Sequence, residues 1–297
     1  MSDRSPISRR DAVGALGALT AATLTPMTTL RGLGAVASSR PLTSPGAGRL
    51  RQSVARWCFT GLTLDALCAA GRDLGLAGID LLDEAEWGIP KRYGLECSIG
   101  NGFGPIARGF NRLDQHDALV AAGSALIPKA GAAGVRRIVV FSGNRNGLSD
   151  GEGIANCITG LKRLTPLAEQ HGVTLCMEML NSRVDHKDYH ADHTAWAAEV
   201  VKGVDSPAFR LLYDVYHMQV MEGNVIATIK QYASIIAHYH TAGVPGRHEL
   251  DDDQELNYRR IAQVIADTGF DGFVAHEFLP TRNPVTSLRE AVTRCTV

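Results

Sequence analysis

Eight short apolar runs alternate with longer amphipathic stretches along most of this chain, and that alternation limits the folds open to it. The runs lie at 54–59, 78–82, 94–98, 136–141, 174–179, 210–213, 235–239 and 272–276, and each reads as a buried strand. Residues 64–74, 117–133, 154–171, 196–201, 225–232 and 258–268 follow the helical period instead. Gly75, Gly134, Gly172 and Gly269 stand where a helix stops just before the next strand. Strands alternating with helices argue for a parallel sheet, and eight is the number that closes a barrel. The expected fold class is therefore α/β, a single (β/α)8 TIM barrel. A doubly wound open sheet is the alternative. That fold more often carries a glycine-rich nucleotide loop after its first strand, and Thr60-Gly61-Leu62-Thr63 is not one.

The N-terminus has a different character. Ser8-Arg9-Arg10-Asp11 precedes an apolar run rich in Ala, Gly and Leu, followed by a Thr/Ser/Gly/Pro-rich stretch. A charged start, a short apolar segment and the small-residue site Ala35-Val36-Ala37 fit a secretory leader. The paired arginines specify the twin-arginine type. The apolar run is too short, and too rich in Gly and Thr, for a stable membrane anchor. The expected organisation is a twin-arginine signal peptide at 1–37, a flexible linker at 38–50 and a catalytic barrel at 51–297. Export to the periplasm is expected. Removing residues 1–37 leaves about 260 residues, close to the roughly 250 typical of such a barrel.

Thirty basic residues against 31 acidic ones, with a pI near 6.8, lack the basic excess of a nucleic-acid binder. The 45% hydrophobic content supplies a full core. Cys58, Cys68, Cys97, Cys157, Cys176 and Cys295 form no C-x-x-C pair; Cys58, Cys97 and Cys176 sit in apolar runs that read as strands and are expected as buried small hydrophobes, not a disulfide framework. The twin-arginine route carries folded proteins, so export does not require disulfides.

In a barrel the strand C-termini form the active face. Strand five ends on Glu178, strand six on Asp214, strand seven runs to His240 and strand eight ends on Glu277. Three carboxylates converging at one apolar mouth repel each other unless something positive sits among them. A divalent cation meets that need, and three carboxylates with one imidazole suit Mn²⁺, Mg²⁺ or Co²⁺ better than a thiolate zinc site does. Each residue alone has a bland reading, as a solvated loop carboxylate or a hydrogen-bonded core histidine. The shared position on four strands carries the signal.

Glu178-Met179-Leu180-Asn181-Ser182-Arg183, the run Tyr213-Asp214-Val215-Tyr216-His217-Met218-Gln219-Val220-Met221-Glu222-Gly223-Asn224, Gly243-Val244-Pro245-Gly246-Arg247-His248-Glu249 and Glu255-Leu256-Asn257-Tyr258 resemble the hydroxypyruvate isomerase family. That family lies in the wider xylose-isomerase-like superfamily, with the ketose 3-epimerases. The resemblance is dense from about Glu178 to Pro280 and architectural before that. It implies that Glu178, Asp214, His240 and Glu277 are metal ligands and that Glu178 and Glu277 are also acid and base. It further implies that His217 and Arg247 hold substrate oxygens. His240 stands where hydroxypyruvate isomerases carry Gln and ketose 3-epimerases carry His.

The chemistry read from the residues agrees. Moving a carbonyl along a hydroxy-ketone removes a proton α to it, and a metal that binds both oxygens stabilises the enediolate. One carboxylate takes the proton and a second group returns it. The expected substrate is a small carbohydrate or hydroxy-keto acid. A homo-oligomer is compatible with the sequence, which does not fix its state. Two other functions compete: a metal-dependent endonuclease-like barrel, which wants a basic surface, and an exported sugar-binding barrel without turnover, which needs no proton shuttle.

Weaker features have local readings. The tract Asp185-His186-Lys187-Asp188-Tyr189-His190-Ala191-Asp192-His193 reads mostly as a loop over the active face, with Asp192 as the cap of the next helix and a second metal as the alternative. Asp251-Asp252-Asp253 reads as a solvated turn. Trp87 and Phe103 are candidates for the pocket wall or for packing.

Overall fold

A computed structural model describes residues 48–297. The expected leader at 1–37 and most of the expected linker lie outside the described residues. The end of that linker is packed: Leu50 is buried, and the Arg49 backbone N–H donates to the Val297 carbonyl at 2.7 Å.

Eight parallel strands close into a barrel in sequence order. They are β1 (Arg51–Ala55), β2 (Gly78–Leu82), β3 (Glu96–Gly100), β4 (Arg137–Val140), β5 (Thr174–Glu178), β6 (Phe209–Asp214), β7 (Ile236–Thr241) and β8 (Phe273–His276). Closure is made by β1 against β8, with Ser53 opposite Ala275. The expected barrel is present with all eight strands. The first strand begins and ends earlier than the apolar run suggests, because 56–59 form a 3-10 turn that carries Trp57 out to the barrel mouth. The third is displaced toward the C-terminus because Gly94, in the left-handed region, ends a preceding turn.

The helices are α1 (Leu64–Asp73), α2 (His116–Ala133), α3 (Asp150–Lys162), α4 (Thr165–His171), α5 (Thr194–Val204), α6 (Val215–Met221), α7 (Val225–Tyr232), α8 (Tyr258–Asp267) and α9 (Pro284–Cys295). The single helix expected at 154–171 is two. Pro166 has no N–H to donate back to Lys162, so the chain breaks and restarts there. The elements α6 and α9 were not apparent from periodicity. Gly134 and Gly172 end α2 and α4 in the left-handed conformation, as their positions predict. All six cysteines are free and buried.

Side chains along a strand alternate in direction, so residues two apart share a face. Cys176 and Glu178, Leu212 and Asp214, His238 and His240, and Ala275 and Glu277 therefore form paired layers inside the barrel. An inner apolar cluster of Ile99, Val139, Cys176 and Leu212 fills the layer below the mouth. The register of β2 against β3 shifts on both sides of Asp80, and Leu81 adopts a left-handed backbone with φ 56°. For a leucine that conformation costs on the order of 1–3 kcal/mol. The irregularity lets Asp80 point into the barrel while Leu81 borders the cavity above it.

Candidate active site at the barrel mouth

One ligand atom from each of Glu178, Asp214, His240 and Glu277 lies within 4.8 Å of the others. All four residues are buried. Nδ1 of His240 sits 3.0 Å from Glu178 Oε1, 2.8 Å from Glu277 Oε2 and 4.0 Å from Asp214 Oδ2. The four residues expected as ligands on four successive strands thus meet at one point.

Each is held by its neighbours. Asp214 caps α6: its Oδ1 accepts from the backbone N–H groups of Tyr216 at 2.8 Å and His217 at 3.2 Å, leaving Oδ2 to face the cluster. Glu277 Oε1 accepts from the Trp57 indole N–H at 2.6 Å. Glu277 Oε2 pairs with Arg247 at 2.5 Å, and the same guanidinium nitrogen lies 3.4 Å from Asp214 Oδ2. The guanidinium carbon lies 5.3 Å from the Trp57 ring and 5.4 Å from the Tyr216 ring, so two aromatic faces fix it.

The electrostatics follow from this packing. Burial, reinforced by Glu277, raises Glu178 above the ordinary carboxylate range. Burial also raises Asp214, to about 7, against the opposing pull of Arg247. Burial alone would raise Glu277 too, but Arg247 and His240 beside it hold it well below the usual value. Two carboxylates facing one cavity are therefore driven apart in acidity, the arrangement that separates an acid from a base.

The donors fit a hard divalent cation. Oxygen donors predominate, no thiolate is near enough to join them, and the one imidazole presents Nδ1 to the cluster while Nε2 faces a carboxylate. That carboxylate is Asp80, which the reading of strand ends did not reach because it sits one layer below the mouth on β2. The available signal was a lone acid inside the apolar run Gly78-Ile79-Asp80-Leu81-Leu82. Asp80, His238 and His240 form a second buried group, joined to the first through His240.

Above the cluster lies a cavity of about 440 Å³. Glu178, Glu277, Arg247 and His186 border it, with Trp57, Leu81, Ile106, Val139, Phe141 and Leu180 as its apolar wall. Trp87 and Phe103 instead pack in the core. The Trp87 indole N–H donates to the Leu82 carbonyl, and Phe103 meets Phe110 edge to face. His217 is fully buried behind Asp214. Its Nδ1 lies 3.2 Å from the Asn181 backbone nitrogen, and its Nε2 lies 3.6 Å from Asp214 Oδ2.

The 185–193 tract folds as a loop and brings His186 to the cavity. Asp192 does not cap the next helix. It accepts from Ser182 at 2.6 Å and pairs with Arg145 at 3.0 Å, which draws it away from the N-terminus of α5. Glu222 takes the role instead, accepting from the Thr194 backbone N–H at 2.6 Å and from its hydroxyl at 2.7 Å. The tract contributes to neither of the two buried groups with metal-ligand geometry among the described residues. Two members of the triple-aspartate turn are in surface ion pairs: Asp251 meets Arg282, and Asp252 meets Arg294.

Comparison with known proteins places this geometry in a family. The putative hydroxypyruvate isomerase of Homo sapiens is 30% identical over 131 residues, covering 44% of this chain and 47% of that protein. The 2-oxo-tetronate isomerase of Cupriavidus necator is 34% identical over 113 residues, covering 38% of this chain and 43% of that protein. The chain spans about half the length of the curated relatives it matches. A crystal structure described as AP endonuclease, family 2, from Brucella melitensis superposes with a TM-score of 0.73 at 23% identity, over 80% of this chain and 97% of that one, and shows the shared fold. The family profile of the xylose isomerase-like TIM barrels matches residues 87–295. The chain belongs to the xylose isomerase-like TIM barrel family.

Proposed function

We propose that the protein is a metal-dependent isomerase or epimerase of small hydroxy-ketones, similar in chemistry to hydroxypyruvate isomerase. The observation that carries this reading is the convergence of Glu178 and Glu277, from β5 and the end of β8, on one cavity beside Asp214 and His240. A pure binding barrel needs no such pair. The near-neutral charge balance weighs against a nucleic-acid substrate.

Glu178, Asp214, His240 and Glu277 hold the ion, assigned as Mn²⁺ or Mg²⁺ with Co²⁺ as a substitute. When bound it supplies Lewis-acid polarisation of the substrate's carbonyl and hydroxyl oxygens. The protein's own residues then move the proton. Glu277, held ionised by Arg247 and His240, is the base that takes the α-proton and leaves an enediolate. Glu178, on which burial favours the protonated form, returns a proton to the neighbouring carbon or the opposite face. Arg247 borders the cavity and orients a substrate oxygen. His217 is assigned to the same task; its buried Nε2 has no hydrogen-bond partner among the described residues.

Turnover in D₂O followed by NMR tests the proposal. Deuterium is expected at the reacting carbon, and Glu277→Gln is expected to slow exchange by about 10²–10⁴ while substrate still binds. A product without deuterium under single-turnover conditions favours a direct hydride shift and rules out the two-glutamate shuttle. Export through the twin-arginine pathway to the periplasm is proposed from the leader motif alone. Changing Arg9 and Arg10 to Lys is expected to retain the protein in the cytoplasm, and unchanged export removes that assignment.

A further inference from the structure

The loop after β5 turns its apolar side chain out and its polar one in. Val184 is 66% exposed, while His186, two residues on, is half-buried and borders the cavity. Solvating the imidazole and burying the valine would be the usual arrangement. The chain on both sides of His186 is tied down, so the ring is held where it is. Asn181 Oδ1 accepts from the backbone N–H groups of Val184 and Asp185, each at 3.0 Å, and its Nδ2 donates to Asp185 Oδ2 at 2.5 Å. The Tyr216 hydroxyl donates to the same oxygen at 2.8 Å. The His186 backbone N–H donates to the Asn181 carbonyl at 3.1 Å. Beyond the ring, the Asp188 carbonyl accepts from the Arg145 N–H at 2.7 Å, and its Oδ2 from the Asn146 N–H at 2.8 Å. The Tyr189 hydroxyl then accepts from the Ser142 N–H at 3.0 Å and donates to the Glu178 carbonyl at 2.9 Å.

The ring itself is uncommitted. Glu178, Glu277, Arg247, Trp57 and Asn101, the other polar side chains on the cavity wall, each have a side-chain partner. Among the described residues neither ring nitrogen of His186 has one. Its neighbours are rings: His217 lies edge-on with centroids 5.3 Å apart, and Tyr189 is 6.5 Å away. Packing alone would be served as well by an apolar side chain, with no polar atoms to desolvate. Burial, with Arg247 adding to the effect, lowers the pKa of His186 against the pull of Asp185 and Glu277. At neutral pH the ring therefore has one donor and one acceptor, the complement of a hydroxyl. His186 supplies no atom to either buried group with metal-ligand geometry. Whatever it meets is a part of the ligand away from the ion, and a cavity of about 440 Å³ has room for such a part.

We infer that His186 is a ligand-contact residue: it hydrogen-bonds a hydroxyl of the substrate beyond the two carbons that react, and it selects substrates by what they carry there. This deepens the isomerase reading above, and rests on it for the end of the ligand that meets the ion.

The test uses the full chain loaded with Mg²⁺, with ¹⁵N-labelled histidines. The probes are two pairs differing by one terminal hydroxyl: erythrulose with 1,3-dihydroxybutan-2-one, and fructose with 6-deoxyfructose. The His186 ring signals, assigned with His186→Ala, are followed by NMR, and turnover is followed by deuterium exchange in D₂O. In at least one pair the hydroxylated member should shift the His186 signals and bind about 2–12-fold more tightly than its deoxy partner. His186→Ala should erase that difference, and His186→Gln, which keeps a donor and an acceptor, should retain part of it. In turnover the loss should fall on KM more than on kcat. Equal weakening of both members of each pair by His186→Ala makes the residue a packing element and overturns the inference. Unmoved His186 signals with all four probes overturn it too; if exchange still occurs, the isomerase reading stands without it. Shifted signals and a preference lost in His186→Ala, with no exchange from any probe, support the contact and sink the isomerase reading.

Discussion

Asp80 Oδ2 lies 3.0 Å from Nε2 of His240, on the side of the ring opposite the nitrogen that meets Glu178 and Glu277. The contact decides which nitrogen of His240 is free to ligate. A carboxylate accepts, so Nε2 carries a proton in either state; without an ion Nδ1 donates to Glu178 and Glu277 as well, and with one bound Nδ1 would be the nitrogen that turns its lone pair to the cluster. Asp80 is itself fixed, accepting from Ser53 at 2.9 Å, from Ser98 and from His238 at 2.9 Å. Burial alone would raise its pKa, but His238 and His240 hold it well below the usual carboxylate range. Asp80→Asn is expected to weaken Mn²⁺ affinity by about 10–100-fold while the circular dichroism of the barrel is retained. Titration calorimetry on the variant decides the point, and an unchanged affinity leaves Asp80 a purely structural residue.

Removal of the ion should destabilise the barrel. Three buried carboxylates with one guanidinium are short of positive charge, and whatever supplies it binds the folded state in preference to the unfolded one. At an ion concentration of about 100 times Kd the linkage contributes about 2.7 kcal/mol. Melting with and without chelator should therefore differ, and Asp214→Asn should shrink the difference. Identical melting curves at saturating Mn²⁺ and in chelator contradict the metal assignment.

The parts of the site legible in the sequence are those that obey strand arithmetic. Glu178, Asp214 and Glu277 each end an apolar run, and His240 follows one closely, so the rule that chemistry sits at strand C-termini finds them together. Asp80 escaped because it lies inside a strand and acts from below. Trp57 escaped because the apolar run at 54–59 looks like a continuous strand, whereas the chain leaves the barrel after Ala55. Local capping rules also misassigned Asp192: an Asp just before a helix favours the cap, but Arg145 and Ser182 outbid the helix for it. Interactions set by tertiary neighbours are not visible in local pattern.

Glu222 caps α5 from a distant position in the chain, and its loss should be measurable. Its carboxylate meets both the backbone N–H and the hydroxyl of Thr194 at the helix start, where negative charge is also favoured by the helix dipole. Glu222→Ala is expected to lower stability by about 0.5–2 kcal/mol in denaturant unfolding with an unchanged m-value. No shift of the midpoint would show that water replaces the cap without loss.

Glu249 gives the barrel an acid limb. Its carboxylate joins the loop after β7 to the loop after β8, accepting from the Thr281 backbone N–H at 2.8 Å, the Thr281 hydroxyl at 2.9 Å, the Arg282 N–H at 3.3 Å and the Ser287 hydroxyl at 2.8 Å. Burial alone would raise Glu249, but the Ser287 hydroxyl and the backbone and side-chain donors of this loop bring it down to about 2. The sign follows from linkage. Between its ordinary value of about 4.5 and about 2, the unfolded chain binds the proton and the folded chain does not, so stability falls as pH falls. The slope contributed by one such group is up to about 1.4 kcal/mol per pH unit. The contribution is fully present above pH 4.5. Glu249→Gln should lower stability at neutral pH, because an amide replaces one acceptor oxygen among four donors. It should also flatten the acid limb in that window relative to the parent. The measurement is denaturant unfolding at closely spaced pH values on both proteins. Parallel curves below pH 4.5 would mean that Glu249 is not a source of the acid sensitivity.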